Sequence, residues 1–325
     1  MSNAVRYLLA ASLLFAVTGD GREREPTSLV ELEKAGIDKI ARLTAAETST
    51  ILFTLADYIV GYAKEGRVEW ISATDNRNRP CGWPHPALSH DGLRVALVRS
   101  SDTPKRCRIM IHDIPTVTER QLAETSGEPG EISWSWDDGD ISFFERGISA
   151  VSVRSGVKRM LLPFPMKVDD HQFTFSVWQP MQWLHNGRDL VVELETEIPT
   201  KEPGTHTYHG NLLLVSGGDA QVIDVGSRPA VSPVSDRIAY HTPGAIRAIN
   251  ADKTGRIALA TAPRTLLLFS EALFGNIVWS SDGTRLFFGT IVSENRRDKL
   301  YLLDVKSGRR ERFLSETSIG IRGWH

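Results

Sequence analysis

The chain has 325 residues, 41% of them hydrophobic and 24% charged, which supports a large buried core and excludes a disordered chain. Thirty-eight basic residues against forty acidic ones leave a formal charge of −2, so no broad positive field exists to attract a phosphate backbone and no nucleic-acid partner is expected. The longest apolar stretch, Tyr7 to Val17, falls short of the roughly 18 to 20 residues that cross a bilayer, so no membrane span is expected.

That stretch follows Arg6 and precedes the small residues Thr18 and Gly19, the order of a secretory leader. The expected division is a leader over 1–19, a linker and helix over 20–49 and a folded body over 50–325. A periplasmic or secreted location follows from it; a cytoplasmic one follows if the stretch is a buried first helix instead. Next, Ser28 with Glu31 three residues on reads as a capping box, and Leu29, Leu32, Ile37, Ile40 and Leu43 recur at helical spacing. A helix is expected over 28–46, weakened at Gly36, with its apolar side against the body.

From there the chain repeats. An apolar or Trp anchor, a polar turn and a strand-forming run recur at Leu88, Trp134, Trp183, Val231, Trp279 and Trp324, with separations of 46, 49, 48, 48 and 45 residues. That period suits a four-stranded propeller blade. Asp91-Gly92, Asn186-Gly187 and Asp282-Gly283 stand three and four residues after their anchors, and Asp138-Gly139 stands one residue later. Asp or Asn followed by Gly tolerates the positive φ of a tight hairpin turn. Each turn leads into a β-favouring run such as Val95 to Val98, Ile141 to Phe144 or Leu286 to Phe288. The fourth unit has Val234-Ser235 in place of Asp-Gly, so its turn is expected to be built differently.

Trp324 opens a sixth unit that has no room for more strands. Counting back one period from Leu88 predicts the missing strands at Ile51 to Thr54, Tyr58 to Tyr62 and Val68 to Ile71. The expected fold is therefore all-β, a six-bladed β-propeller of four-stranded antiparallel blades, closed by a C-terminal strand joining N-terminal ones. Units such as Val278-Trp279-Ser280-Ser281-Asp282-Gly283 and Ala87-Leu88-Ser89-His90-Asp91-Gly92 resemble the Trp-Ser-Pro-Asp-Gly repeats of TolB-like propellers, over positions 50–325 and without the α/β domain that precedes the propeller in TolB. Similar repeats form the propellers of prolyl oligopeptidases and oligogalacturonate lyases, so the resemblance implies the fold and leaves function to the site.

Chemistry is sparse. The sequence contains no G-x-S-x-G elbow, H-E-x-x-H, phosphate-cradling loop or dinucleotide fingerprint. Cys81 and Cys107 are a candidate pair if the protein is exported, but an expected intervening strand separates them and two free thiols are the favoured reading. Two long connections are candidates for a site on one shared face. Pro163 to Gln179 carries Asp169, Asp170, His171 and Trp178, and Glu193 to His209 carries His206 and His209 beside Glu195 and Glu197. The recurring Trp anchors are read as packing between blades, whereas Trp83 and Trp136 break that register and are candidates for an exposed aromatic contact. A basic group at Lys306, Arg309, Arg310 and Arg312 reads as a charged outer edge. The expectation is a monomeric, non-enzymatic scaffold without metal or cofactor, binding a protein, a peptide or a small polar ligand on its loop-rich face. The alternatives are a metal-assisted polysaccharide lyase or glycoside hydrolase using His171, His206 and His209, or an accessory subunit of an enzyme.

Overall fold

The computed structural model describes residues 29–55, 59–73, 81, 85–101, 106–164, 166–168, 171–173, 180–199, 206–261, 276–292 and 297–325. One helix, α1 (Leu29–Glu47), precedes the strands. Blade I holds β1 (Thr50–Leu55), β2 (Ile59–Lys64) and β3 (Arg67–Ala73), and blade II holds β4 (Ala87–Leu88), β5 (Arg94–Ser100), β6 (Cys107–Asp113) and β7 (Thr118–Thr125). Blade III is β8 (Ser133–Trp134), β9 (Asp140–Phe144), β10 (Gly147–Ser152) and β11 (Lys158–Pro163), followed by a separate hairpin, β12 (Met166–Val168) and β13 (His171–Phe173). Blade IV is β14 (Met181–Trp183), β15 (Leu190–Pro199), β16 (His206–Ser216) and β17 (Asp219–Val225), and blade V is β18 (Ser227–Val231), β19 (Arg237–Thr242), β20 (Ala245–Asn250) and β21 (Ile257–Thr261). Blade VI is β22 (Ile277–Trp279), β23 (Arg285–Val292), β24 (Arg297–Asp304) and β25 (Arg310–Thr317), after which β26 (Ile319–Trp324) pairs antiparallel with β1 as the innermost strand of blade I.

The molecule is thus a six-bladed propeller, and every anchor lies on an innermost strand. Three of the Trp anchors tie their blade to the one before it. Trp134 Nε1 donates to Ala87 O at 3.0 Å, Trp183 Nε1 to Ser142 Oγ at 3.1 Å and Trp279 Nε1 to Ala230 O at 2.9 Å. Trp324 Nε1 donates to Ser49 Oγ at 3.2 Å, and its ring lies 4.8 Å from Phe287 of blade VI. Each indole thus fills the inter-blade core and satisfies its own N–H, so these rings are structural.

Helix α1 packs against the seam between blades VI and I. Ile40 and Thr44 are buried, as is Glu33, which accepts hydrogen bonds from Ser318 N at 2.8 Å, Ser318 Oγ at 2.7 Å and Thr317 Oγ1 at 3.2 Å. Gly36 marks the closest approach: a Cβ there would stand 2.8 Å from Ile319 Cδ1. The glycine that weakens the helix is what lets it dock. The Ser28 end of the expected capping box lies outside the described residues.

Three expectations need correction. Cys81 and Cys107 are a disulfide, with Cα atoms 5.9 Å apart, and no described cysteine is free. The strand expected to separate them, β5, does stand between β4 and β6 in the sheet, but Cys81 belongs to none of the blade's strands. Cys81 is buried in one apolar cluster with Ala96, Val98 and Cys107, and its Sγ lies 3.4 Å from Arg106 O, beside the start of β6. Second, Asp138-Gly139 is not a displaced copy of Asp-Gly. Asp138 N bonds Ser135 O at 2.8 Å as Gly92 N bonds Ser89 O at 2.9 Å, so Asp137 and Asp138 occupy the Asp-Gly positions. Third, much of the supposed connection Glu193 to His209 is strand, since β15 and β16 pair from Leu190↔Val215 out to Pro199↔His206. The fourth unit's turn does differ as expected: Ser235 is not among the positive-φ residues, and Val234 stands 58% exposed.

Candidate functional site: the axial channel

All six innermost strands run the same way around the axis, so equivalent positions form rings. Three residues before the anchor lie His85, Glu131, Pro180, Arg228 and Asn276, at the leading end of the channel. Two residues after the anchor lie His90, Trp136, His185, Pro233 and Ser281, at the turn end. Members of both rings line one cavity of about 130 Å³, together with Gln182 and Arg322.

The turn end carries an arc of aromatic rings. His325 lies 5.3 Å from His90, His90 4.5 Å from Trp136, and Trp136 4.0 Å from His185, so the arc crosses blades I to IV without a gap. Trp136 stays half-buried, unlike the buried anchors. Burial first, and His90 beside it second, lower the His325 imidazole to about 4, so this end of the arc is uncharged at neutral pH.

Backbone and carboxylate contacts fix the arc. Asp138 accepts from His90 N at 2.8 Å and Asp91 N at 3.0 Å, and its Oδ1 lies 3.2 Å from His90 Nδ1. Reaching back to blade II in this way holds Asp138 at φ 54°, where a side chain is strained and the turns of blades II, IV and VI use glycine. Asp236 does the same service two blades further on, accepting from His185 N at 2.8 Å. Within its own turn, Asp137 accepts from Ser135 Oγ at 2.7 Å and Gly139 N at 3.0 Å, and these bonds lower its carboxyl.

The leading end is polar and charged. Glu193, on β15, is 8% exposed, and its Oε2 accepts from Arg228 N at 2.7 Å. Burial pushes its carboxyl up to about 7, with the hydrogen bond and charge of Arg228 opposing and Glu195 and Glu131 adding to the rise. Arg228 Nη1 donates to Asn276 Oδ1 at 2.8 Å. Across the channel, Arg322 Nη1 stands 3.8 Å from Glu131 Oε1.

Of the residues singled out in the sequence, Trp136 falls in this site. His171 lies on β13, which packs against β15, and His206 and His209 lie on β16 opposite Pro199 and Thr196. Trp83, Asp169, Asp170 and Trp178, like the side chains of His171, His206 and His209, lie outside the described residues. Among the described residues no cluster of His, Cys, Asp or Glu is arranged to hold a metal ion, and no helix is long and apolar enough to cross a membrane. The sequence reading missed His90, His185, Glu193, Arg228 and Asn276. The signal for all but Glu193 was positional, two after or three before the anchor; Glu193 lies on a second strand.

No protein-family model and no curated protein matches the sequence. Among solved structures, TolB from Acinetobacter baumannii superposes with a TM-score of 0.58 at 13% identity, over 92% of this chain and 74% of that one. The nidogen/laminin complex gives 0.57 at 9% identity, over 85% and 97%, and an oligogalacturonate lyase from Vibrio parahaemolyticus gives 0.50 at 10%, over 79% and 71%. At such identities the likeness is one of fold, and on the ring closure, the anchor register and these superpositions together the chain is a six-bladed β-propeller of the architecture shared by TolB.

Proposed function

We propose that this chain is an exported, non-enzymatic binding propeller that holds a protein segment, a peptide or a small polar ligand at the mouth of its axial channel. The observation that carries the reading is the unbroken arc His325, His90, Trp136, His185, with Trp136 left half-exposed between two imidazoles. Aromatic faces held by fixed turns offer contact area at little entropic cost, and imidazole nitrogens add polar partners. TolB and the nidogen/laminin pair support a binding role only by sharing the fold. Export is supported by the leader-like composition of 1–19 and by the buried Cys81–Cys107 disulfide, which suits an oxidising compartment. Fractionation of tagged protein with and without residues 1–19 tests it.

The binding reading is tested with 5-fluorotryptophan protein, whose eight indole signals are assigned by Trp→Phe replacement and followed against pools of peptides and polar small molecules. A ligand of this site shifts the Trp136 signal, spares those of Trp134 and Trp183, and binds at least tenfold more weakly to Trp136→Ala. Ligands that bind without either effect overturn the reading. The metal-assisted alternative draws on one observation, that β13 with His171 lies against β15, the partner of the strand carrying His206 and His209. Stoichiometric metal in purified protein, lost in His206→Ala and His209→Ala, would establish it in place of the scaffold.

A further inference from the structure

Arg228 is built for a ligand more than for the fold. It stands at φ 51°, uncommon for any residue with a side chain and doubly restricted here because Pro229 follows. Such strain persists only where the surroundings enforce it, and it gathers at binding sites. Two contacts enforce it. The backbone N–H donates to Glu193 Oε2 at 2.7 Å, and the guanidinium donates to Asn276 Oδ1 at 2.8 Å across the gap between blades V and VI.

The chemistry of those two contacts is unequal. The carboxylate takes the backbone, and the guanidinium receives only a neutral amide, so among the described residues the cation has no carboxylate partner. A guanidinium carries five N–H donors in a planar fork matched to a carboxylate, and the amide oxygen occupies one. Arg228 also lines the cavity, as does Arg322, which stands 3.8 Å from Glu131. The cavity's 130 Å³ has ample room for a carboxylate and its methylene.

We infer that Arg228, oriented by Asn276, is an anion station inside the axial channel that takes the carboxylate of a ligand. This deepens the binding reading above and rests on it: aromatic rings grip the ligand at one end of the channel and a fixed cation receives its acidic group. The carboxylate could be that of a free small acid or one presented by a peptide.

Calorimetric titrations of the full chain at constant ionic strength separate the cases. Acetate and succinate probe the free acid, N-acetyl-triglycine and N-acetyl-Gly-Gly-Asp-amide probe the peptide carboxylate, and the corresponding amides are controls. The expected result is saturable binding of at least one acid, absent for its amide, and at least tenfold weaker in Arg228→Gln. Asn276→Asp is the sharper variant, because it leaves Arg228 in place and supplies the missing counter-charge; it too should weaken binding at least tenfold with an unchanged melting temperature. Failure of every acid to bind saturably, or undiminished affinity in a folded Asn276→Asp, overturns the inference. Should either occur while another ligand still shifts the Trp136 signal, the carboxylate station falls and the binding reading stands.

Discussion

Replacing Glu193 by Gln tests the electrostatics of the channel directly. Gln keeps an acceptor oxygen for Arg228 N and removes the titrating proton. In the folded protein the Glu193 carboxyl sits at about 7 against an ordinary 4.5, so between those values the folded state binds the extra proton and stability falls as pH rises. At about 1.4 kcal/mol per pKa unit, the charged form costs on the order of 3 kcal/mol above pH 7 and nothing below about 4.5. His325 works in the opposite sense. Its folded value of about 4 lies below the ordinary 6.5, so its contribution is present above 6.5 and is lost as pH falls toward 4. In the native protein the two slopes oppose each other over most of the range. Urea unfolding at half-unit steps from pH 4.5 to 8.5 should therefore show Glu193→Gln close to the native protein at the acid end and more stable by about 2 to 3 kcal/mol at the alkaline end. The variant should also lose stability on acidification more steeply than the native protein. A stability difference that stays constant across the range would refute the burial of a costly charge at this position.

Three further outcomes follow from the geometry. Asp138→Gly relieves a strained turn but removes the acceptor for two backbone N–H groups of the preceding blade; a net loss of about 1 to 3 kcal/mol is expected in urea unfolding, with relaxation of the His90–Trp136 contact visible in the indole signal. Trp279→Ala deletes a buried anchor and its bond to Ala230 O and should cost about 3 to 5 kcal/mol by the same measurement. The double change of Cys81 and Cys107 to Ser opens a loop of sequence separation 26 and should cost about 3 kcal/mol. Native protein should give no thiol titre even when unfolded, and two thiols per chain only after unfolding in a reductant, because both sulfurs are held in the disulfide.

The blades were legible because their determinants are local. Anchor, turn and strand lie within about ten residues of each other, and hairpin chemistry demands particular residues at particular places. Closure was legible too, since the leftover Trp324 needs partners and Ile51 to Thr54 is the run at the right distance. The site was not, and the reason is physical. His90, Trp136 and His185 are ordinary turn residues in one dimension and become neighbours only when the ring brings equal positions of successive blades around one axis. Glu193 reads as the start of a polar connection, although β15 runs on past it and buries it against Arg228. The Asp138 register failed for a related reason: a rule that expects glycine at positive φ cannot see that a contact to another blade compensates the strain. The disulfide was misjudged because Cys81 lies ahead of the blade's first strand, where no ladder fixes its distance from β6.

The closure of blade I governs the order of events during synthesis. Thr54 and Gly320, joined side by side in one sheet, are 266 positions apart, whereas the contacts within every other blade span a few dozen. As the nascent polypeptide emerges, β1 to β3 must wait beside an open groove, with Ile51, Leu52 and Phe53 uncovered, until β26 arrives to fill it. Non-local pairing of this kind is slow, and unpaired edges are adhesive while they last. Maturation should thus be limited by this last clasp, and a folding helper that shields the waiting edge would speed assembly without altering the finished ring.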